Sequence, residues 1–320
     1  MDCLYHYCSN NTCFSILSNQ SIRLSDIQKS NDYNELSLFF PALLNEIERQ
    51  YKESPFHFYC DGLTGDEAFS KLMRDSYFYW RGRFANGDFS NFVICFSEYP
   101  DVLSQWRGYA DDGRGCCLGF SKRVLDEYCD RYKSVFRIEK VAYLMQTEIH
   151  DFIKGAATTC LEKLKTLREW CVEHAELDYY SQETDSFLHF NFDSMLEVAF
   201  LESLKFKSQA FFEENEWRIF FRKPAYKNPN WICREDVESL TGPEGFAETV
   251  RYLSNKIEFR ITENDIIPFV PIAFDELTEN PIKEIWTGPK NKVREMDLAL
   301  YLRQKGFSDT QLFHSGISYC

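Results

Sequence analysis

Apolar residues recur along this chain with two periods, and the switches between them mark out its elements. The run "LYHYCS", residues 4–9, is short, apolar and aromatic, and predicts a strand with His6 at its middle. "NTCFSILSNQSIRLS" predicts a short helix and then a second strand packed beside the first, and the polar "KSNDYNE" predicts a loop. Over residues 36–51, Phe40, Leu43, Leu44 and Ile47 fall at helical spacing. Pro41 is expected in the first turn of that helix, where its missing N–H costs nothing. In "TGDEAFSKLMRDSYFYW", Thr64 and Glu67 have the spacing of a capping box, and Phe69, Leu72, Met73 and Trp80 share a face.

"NFVICFSEYP" predicts a strand ending near Ser97, and "DVLSQWRGYADDGRG" a short helix or turn. "GCCLGFS" and "SVFRIEKVAYL" predict strands around a helix that Ser121 caps. Two long helices follow. Residues 146–174 place Ile149, Phe152, Ile153, Cys160, Leu164 and Leu167 on one face; residues 184–207 repeat the pattern with Phe192, Met195, Ala199 and Leu204. "FFEENEWRIFFRK" alternates from Glu216 on: Trp217, Ile219 and Phe221 point one way, Glu216, Arg218 and Phe220 the other. "TVRYLSNKIEFRI" and "IKEIWTG" predict further strands, "REMDLALYLRQKGF" a final helix and "TQLFHS" a last strand. Strands at both ends with helices grouped between them predict an α+β fold. The expected organisation is a single domain over residues 1–320 with a mainly helical insertion at about 146–207.

Composition narrows the class. Apolar residues make up 44% of the chain and aromatics 17%, enough to bury a large core and to exclude disorder. No run of about 18 apolar residues predicts a membrane span, and no basic stretch leads into an apolar one near the start. A cytoplasmic protein with no membrane partner is the expectation. The 12 cysteines lack paired CxxC spacing and the histidines at 6, 57, 150, 174, 189 and 314 are scattered, so neither disulfide nor metal is expected. The formal charge of −14 disfavours a surface made to hold polyanions, but leaves room for a local basic groove. There is no GxxxxGKS/T, no GxGxxG after a strand, no HExxH and no GxSxG.

Three stretches carry candidate chemistry. His6 in its strand is either one polar residue on a solvent face or a side chain presented to a ligand. "CFSEYPDVLSQWRGYADDGRG" sets Ser97, Trp106, Arg107 and Tyr109 just beyond a buried strand, where sites tend to be built. In "EENEWRIF", Glu214, Glu216 and Arg218 share one face, which is either a solvated face with an internal ion pair or the carboxylate wall of a cleft.

Taken in order, "LYHYxS", an "NDxxE"-like loop, "CFSE" followed by "WxxYA", a late "ExEWR" strand, "PIKEIWTGPK" and the closing "FHSGI" resemble a large bacterial family of unknown function. That family in turn is distantly similar to the ADP-ribosyltransferases, whose toxin and defence branches open on a "YH" strand and complete their site with a late glutamate. The resemblance implies an ADP-ribosyltransferase-like mixed β core and NAD as substrate. It implies that Glu216 stabilises the cationic ribose of the transition state, with Glu214 as its alternative. It places His6 on the adenine-side ribose, Ser9 and Ser97 on the cofactor, Arg107 or Arg218 on the diphosphate, and Trp106, Tyr109 or Tyr33 against the nicotinamide. The acceptor, protein or nucleic acid, stays open, as does an antitoxin or defence-system partner. NAD hydrolysis and a non-catalytic binding module of the same fold are the rival readings.

Overall fold

A computed structural model describes residues 2–29, 33–85, 92–133, 136–173, 182–221, 255–262 and 264–319. In chain order the strands are β1 (Cys3–Cys8), β2 (Ser21–Asp26), β3 (Tyr59–Cys60), β4 (Leu63–Thr64), β5 (Phe92–Ser97), β6 (Cys116–Ser121), β7 (Phe136–Lys140), β8 (Ala142–Leu144), β9 (Phe206–Ser208), β10 (Glu216–Phe221), β11 (Glu258–Ile261), β12 (Ile266–Ala273), β13 (Ile282–Thr287) and β14 (Gln311–His314). The helices are α1 (Asn10–Asn19), α2 (Tyr33–Glu53), α3 (Gly65–Ala85), α4 (Leu103–Tyr109), α5 (Lys122–Arg131), α6 (Gln146–Glu173), α7 (Gln182–Ser203) and α8 (Glu295–Lys305). The fold is mixed α/β, and the chain divides into two compact units. One is formed by Met1–Ser30, Ser90–Val141 and Phe211–Cys320, the other by Asn31–Phe89 and Ala142–Ala210.

The first unit is built on a mixed sheet in the order β11-β12-β2-β5-β1-β6-β13-β14, with β10 joining β5 to β7. The alternation read from the sequence decides which side chains enter its core. Leu4, Cys8, Ile94, Phe96, Leu118, Phe120 and Ile219 meet Cys13, Ile16 and Leu17 of α1, Leu125 and Tyr128 of α5, and Leu298 and Leu302 of α8. A smaller cluster on other strand positions gathers Tyr7, Trp106, Ala110 and Cys117 with Tyr5 and Trp286.

One irregularity positions the site. β10 pairs with β5 along its whole length, from Phe92 to Ser97. On the other edge two strands share β5: Asp26 and Ser25 of β2 lie opposite Phe92 and Val93, and Tyr5 of β1 lies opposite Ser97. Between them β1 and β2 part, and Ile94, Cys95 and Phe96 have no ladder partner on that edge.

In the second unit α2, α3, α6 and α7 bury Leu43, Ile47, Leu72, Leu164, Leu188 and Phe192. Ring contacts join Phe39 to Phe152 at 5.8 Å and Phe40 to Trp80 at 4.5 Å. The helical segment expected at 146–207 therefore has companions: α2 and α3 supply apolar faces that it covers. The hairpin β3–β4 turns at Asp61 and Gly62, whose φ values of 54° and 77° are those of a two-residue primed turn.

Other expectations need correction. α2 begins at Tyr33, so the "NDYNE" loop is helical from that residue on, and Pro41 lies inside the helix rather than in its first turn. α7 ends at Ser203, and Phe206–Ser208 is strand, paired in parallel with β8. β12, "IIPFVPIA", was not predicted; its apolar run is broken by two prolines. Of "TVRYLSNKIEFRI", residues 249–254 lie outside the described residues. No helix among the described residues is long and apolar enough to cross a membrane.

Candidate functional site

His6 occupies the gap where β1 leaves β5. Its Nδ1 lies 2.9 Å from the Cys95 carbonyl oxygen, standing in for the ladder bond that the parted strands do not make. A carbonyl only accepts, so Nδ1 carries the hydrogen and Nε2 of the neutral ring is an acceptor. Burial pushes the imidazole below its ordinary pKa, with the bond to Cys95 opposing in part, which keeps the ring neutral at pH 7. Phe96 meets the ring edge-on at 5.9 Å. His6 is half-buried and tied to the sheet through Cys95.

The same gap opens into a cavity of about 510 Å³, in the size range of small-ligand pockets (roughly 300–1,000 Å³). His6, Ile94 and Cys95 line it from the parted strands, Asn11, Thr12 and Ser15 from α1, and Ser21, Arg23 and Ser25 from β2. Tyr109, Lys29, Asp26 and Arg260 complete the wall. In β2 the even positions Ile22 and Leu24 go to the core, so Ser21, Arg23 and Ser25 are left on the opposite face by period-two geometry.

The cavity runs against the charge of the whole. In a chain of net charge −14 it gathers Arg23, Lys29 and Arg260 against the single lining carboxylate of Asp26. Lys29 is paired with Asp265 at 2.7 Å. The Arg23 guanidinium lies 4.4 Å over the Phe269 ring, and neither it nor Arg260 has a carboxylate partner among the described residues. Two arginines with no counter-ion among the described residues, beside hydroxyls and a neutral histidine, suit an anionic ligand that also carries hydroxyl groups.

The residues named from the sequence fall into three groups. His6 and Tyr109 line the cavity. Tyr109, 41% exposed, donates its hydroxyl hydrogen to Glu214 Oε1 at 3.0 Å, so Glu214 is joined to the cavity through it. Ser9 caps α1, accepting from the Thr12 amide at 3.2 Å, and Ser97 is buried with its hydroxyl accepting from the Tyr99 amide. Trp106 is fully buried: its ring packs edge-on against Tyr7 at 4.9 Å and its N–H donates to Asp101 at 2.7 Å. It does not share an exposed face with Tyr109: Trp106 is wholly buried, while Tyr109, the last residue of α4, is 41% exposed. Arg107 is exposed on α4, about 6.0 Å from the Tyr319 ring. Tyr33 opens α2, and its side chain lies outside the described residues.

Glu216 and Arg218 depart furthest from expectation. Glu214 belongs to the 3-10 turn Gln209–Glu214, not to the strand, and Asn215 at φ 42° separates the two glutamates. Glu216 is 4% exposed and Arg218 3%, and the guanidinium grips the carboxylate through Nε at 2.7 Å and Nη2 at 3.1 Å. Neither side chain faces water. β10 is an interior strand, laddered on both edges, and the face that carries its polar pair is buried. Arg218 lies opposite Cys95, which lines the cavity, and Glu216 lies opposite Ser97, one step along the same face.

Sequence reasoning missed Arg23, Lys29 and Arg260. The signal for Arg23 was present: "SIRLSD" alternates strictly, and its polar face reads Ser-Arg-Ser. Also missed is the cluster in which Glu284 accepts from Tyr5 at 3.1 Å and from Trp286 at 2.9 Å, since β13 and β1 meet only through β6.

A family model described as a protein of unknown function (DUF2971) matches residues 105–219. That domain of unknown function spans α4, β6 and most of β10, and leaves His6, Arg23 and Ser97 outside it. No curated protein and no solved structure matches the chain.

Proposed function

We propose that the chain binds NAD in the cavity at the parting of β1 and β2 and transfers its ADP-ribose to an acceptor. The observation that carries this reading is the pair of guanidiniums, Arg23 and Arg260, with no carboxylate partner among the described residues, facing a cavity that His6 also lines. A dinucleotide has the matching chemistry: a diphosphate for the arginines and ribose hydroxyls that donate to His6 Nε2. These assignments move the diphosphate from Arg107 and Arg218 to Arg23 and Arg260. In the reaction the bond from ribose to nicotinamide breaks, nicotinamide leaves with the bonding electrons as a neutral molecule, and the acceptor's lone pair closes on the ribose carbon while its proton passes to water. Glu216 is the carboxylate that opposes the positive charge on ribose, and Glu214, reached through Tyr109, faces the acceptor. A protein of the toxin or phage-defence kind, held in check by a partner, fits such an activity.

One observation favours a second reading. The bidentate hold of Arg218 on Glu216 neutralises the carboxylate that would act, as a binding module of this fold without chemistry would tolerate. The two readings separate in one experiment. The purified full chain is titrated with NAD by calorimetry and then incubated with NAD and cell lysate, following free nicotinamide and labelled ADP-ribose on macromolecules. Binding with transfer supports the transferase, binding with nicotinamide release alone supports hydrolysis, and binding without turnover supports the module. Absence of binding, or binding that Arg23→Ala leaves unchanged, refutes the NAD reading at this cavity.

A further inference from the structure

The second unit contains a cluster that the scattered histidines gave no reason to expect. The hairpin β3–β4 presents Cys60 at the end of its first strand and Asp61 in its turn, and α7 brings His189 onto them from 128 residues away. One donor atom from each, the thiol Sγ, a carboxylate oxygen and a ring nitrogen, all lie within 4.8 Å of one another. His189 Nε2 is 3.1 Å from Asp61 Oδ2 and 3.7 Å from Cys60 Sγ. The same ring nitrogen faces both partners. In a thiol–imidazole–carboxylate relay the carboxylate would hold the other nitrogen, so this arrangement is not that of a nucleophile and its base. It is that of donors converging on a point.

The spacing fits a metal. Tetrahedral zinc with bonds of about 2.3 Å to sulfur and about 2.0–2.1 Å to nitrogen or oxygen sets S···N near about 3.6 Å and N···O near about 3.3 Å. The observed separations differ from these by only tenths of an ångström, so closing the site requires rotamer adjustment and no backbone movement. Cys60 is fully buried, while the Asp61 and His189 side chains are about a quarter exposed, which leaves one open side. We propose that Cys60, Asp61 and His189 bind a divalent cation of the zinc class, with the fourth position held by water or an external ligand. Thiolate, imidazole and carboxylate together select zinc over magnesium or calcium, which prefer all-oxygen sites.

Lys71 is the competitor for this site. Its Nζ lies 2.6 Å from Asp61 Oδ2 and 2.6 Å from Asp75 Oδ2. An ammonium and a dication repel on one carboxylate oxygen, so metal entry moves Lys71 onto Asp75 alone, one helical turn away on α3. Lys71 thus acts as a built-in counter-cation that tunes affinity.

The test uses the full chain, stripped with a chelator and titrated with Co(II) and then Zn(II). One equivalent is expected, with the near-ultraviolet absorption of a Co(II)–thiolate bond and zinc retained after dialysis. His189→Gln and Cys60→Ser should each weaken binding by at least about tenfold, the scale on which even supporting residues act. Lys71→Gln should strengthen it and raise the thermal stabilisation by zinc. Circular dichroism reports whether each variant folds; if Cys60→Ser does not, His189→Gln and Lys71→Gln decide the matter. Absence of stoichiometric metal, metal held equally well by His189→Gln, or weaker binding by Lys71→Gln overturns the proposal.

Discussion

Replacing Glu216 by glutamine tests the structure and the proposed chemistry together. From the sequence alone this substitution looks harmless to the fold, because an alternating strand would turn Glu216 outward. In the structure Glu216 and Arg218 are both under 5% exposed and joined by two charge-assisted hydrogen bonds of 2.7 and 3.1 Å. Glutamine keeps an oxygen for Nε but turns an NH₂ toward Nη2, donor against donor, and removes the negative charge that Glu216 sets against the guanidinium. Removing one partner of a buried pair costs about 3–5 kcal/mol, and the retained hydrogen bond returns about 1 kcal/mol, so the expected loss is about 2–4 kcal/mol. Urea unfolding followed by circular dichroism measures it, with the slope checked for two-state behaviour in a chain of two units. The double variant Glu216→Met, Arg218→Met removes both charges and should lose less than Glu216→Gln, with a coupling energy above about 1 kcal/mol in the cycle. Nicotinamide release is then read well below the transition, where the variant is folded. A fall of about 10²–10³-fold there is the scale for one lost electrostatic group. A midpoint equal to wild type would refute the reasoning, because it would place Glu216 in water and not under Arg218.

Other outcomes follow from the same structure. Arg23→Ala and Arg260→Ala should each weaken NAD binding by about tenfold or more with little change in melting temperature, since each removes a cavity-lining charge that pairs with no carboxylate among the described residues. His6 is held neutral with its folded pKa below the unfolded value, so between those two values the unfolded chain binds the extra proton. Stability should therefore fall as pH drops below about 6.5, by at most about 1.4 kcal/mol per pH unit, and His6→Gln should remove that slope in chemical denaturation. Burial works against the charge on Glu98, but hydrogen bonds from Lys140 and Trp217 outweigh it and hold its carboxyl below the ordinary range. Its stabilisation is present above about pH 4.5 and lost as the pH falls further, and Glu98→Gln should flatten that acid limb. Trp106→Ala should destabilise by about 3–5 kcal/mol whatever it does to NAD, whereas Tyr109→Phe should leave the melting temperature within error and show its effect only in ligand binding or turnover.

The sequence by itself determined the elements and their faces. Period-two alternation sent Leu4 and Cys8, Ile94 and Phe96, and Trp217 and Ile219 to one side of their strands, and helical spacing put Leu43, Ile47, Leu164 and Phe192 inward. It singled out His6, which the structure sets at a cavity. These features are local: a residue's face follows from its neighbours a few positions away. What a face meets is not local. Glu216 and Arg218 read as a polar face, either solvated or walling a cleft, because alternation cannot tell what packs over a face; in the fold that face is buried. Trp106 and Tyr109, three apart on α4, share a side by helical spacing, yet Trp106 is buried and Tyr109, at the helix end, is exposed, which depends on what packs over each. Arg23 and Arg260 lie 237 residues apart and meet one cavity only because β12 pairs with β2 on one edge and β11 on the other. Cys60, Asp61 and His189 converge because a tight turn at positive φ aims the first two at a helix more than a hundred residues later. The period of side chains is written in the chain, but the order of strands in a sheet is settled by which apolar faces can be buried together, and sites belong to that second level.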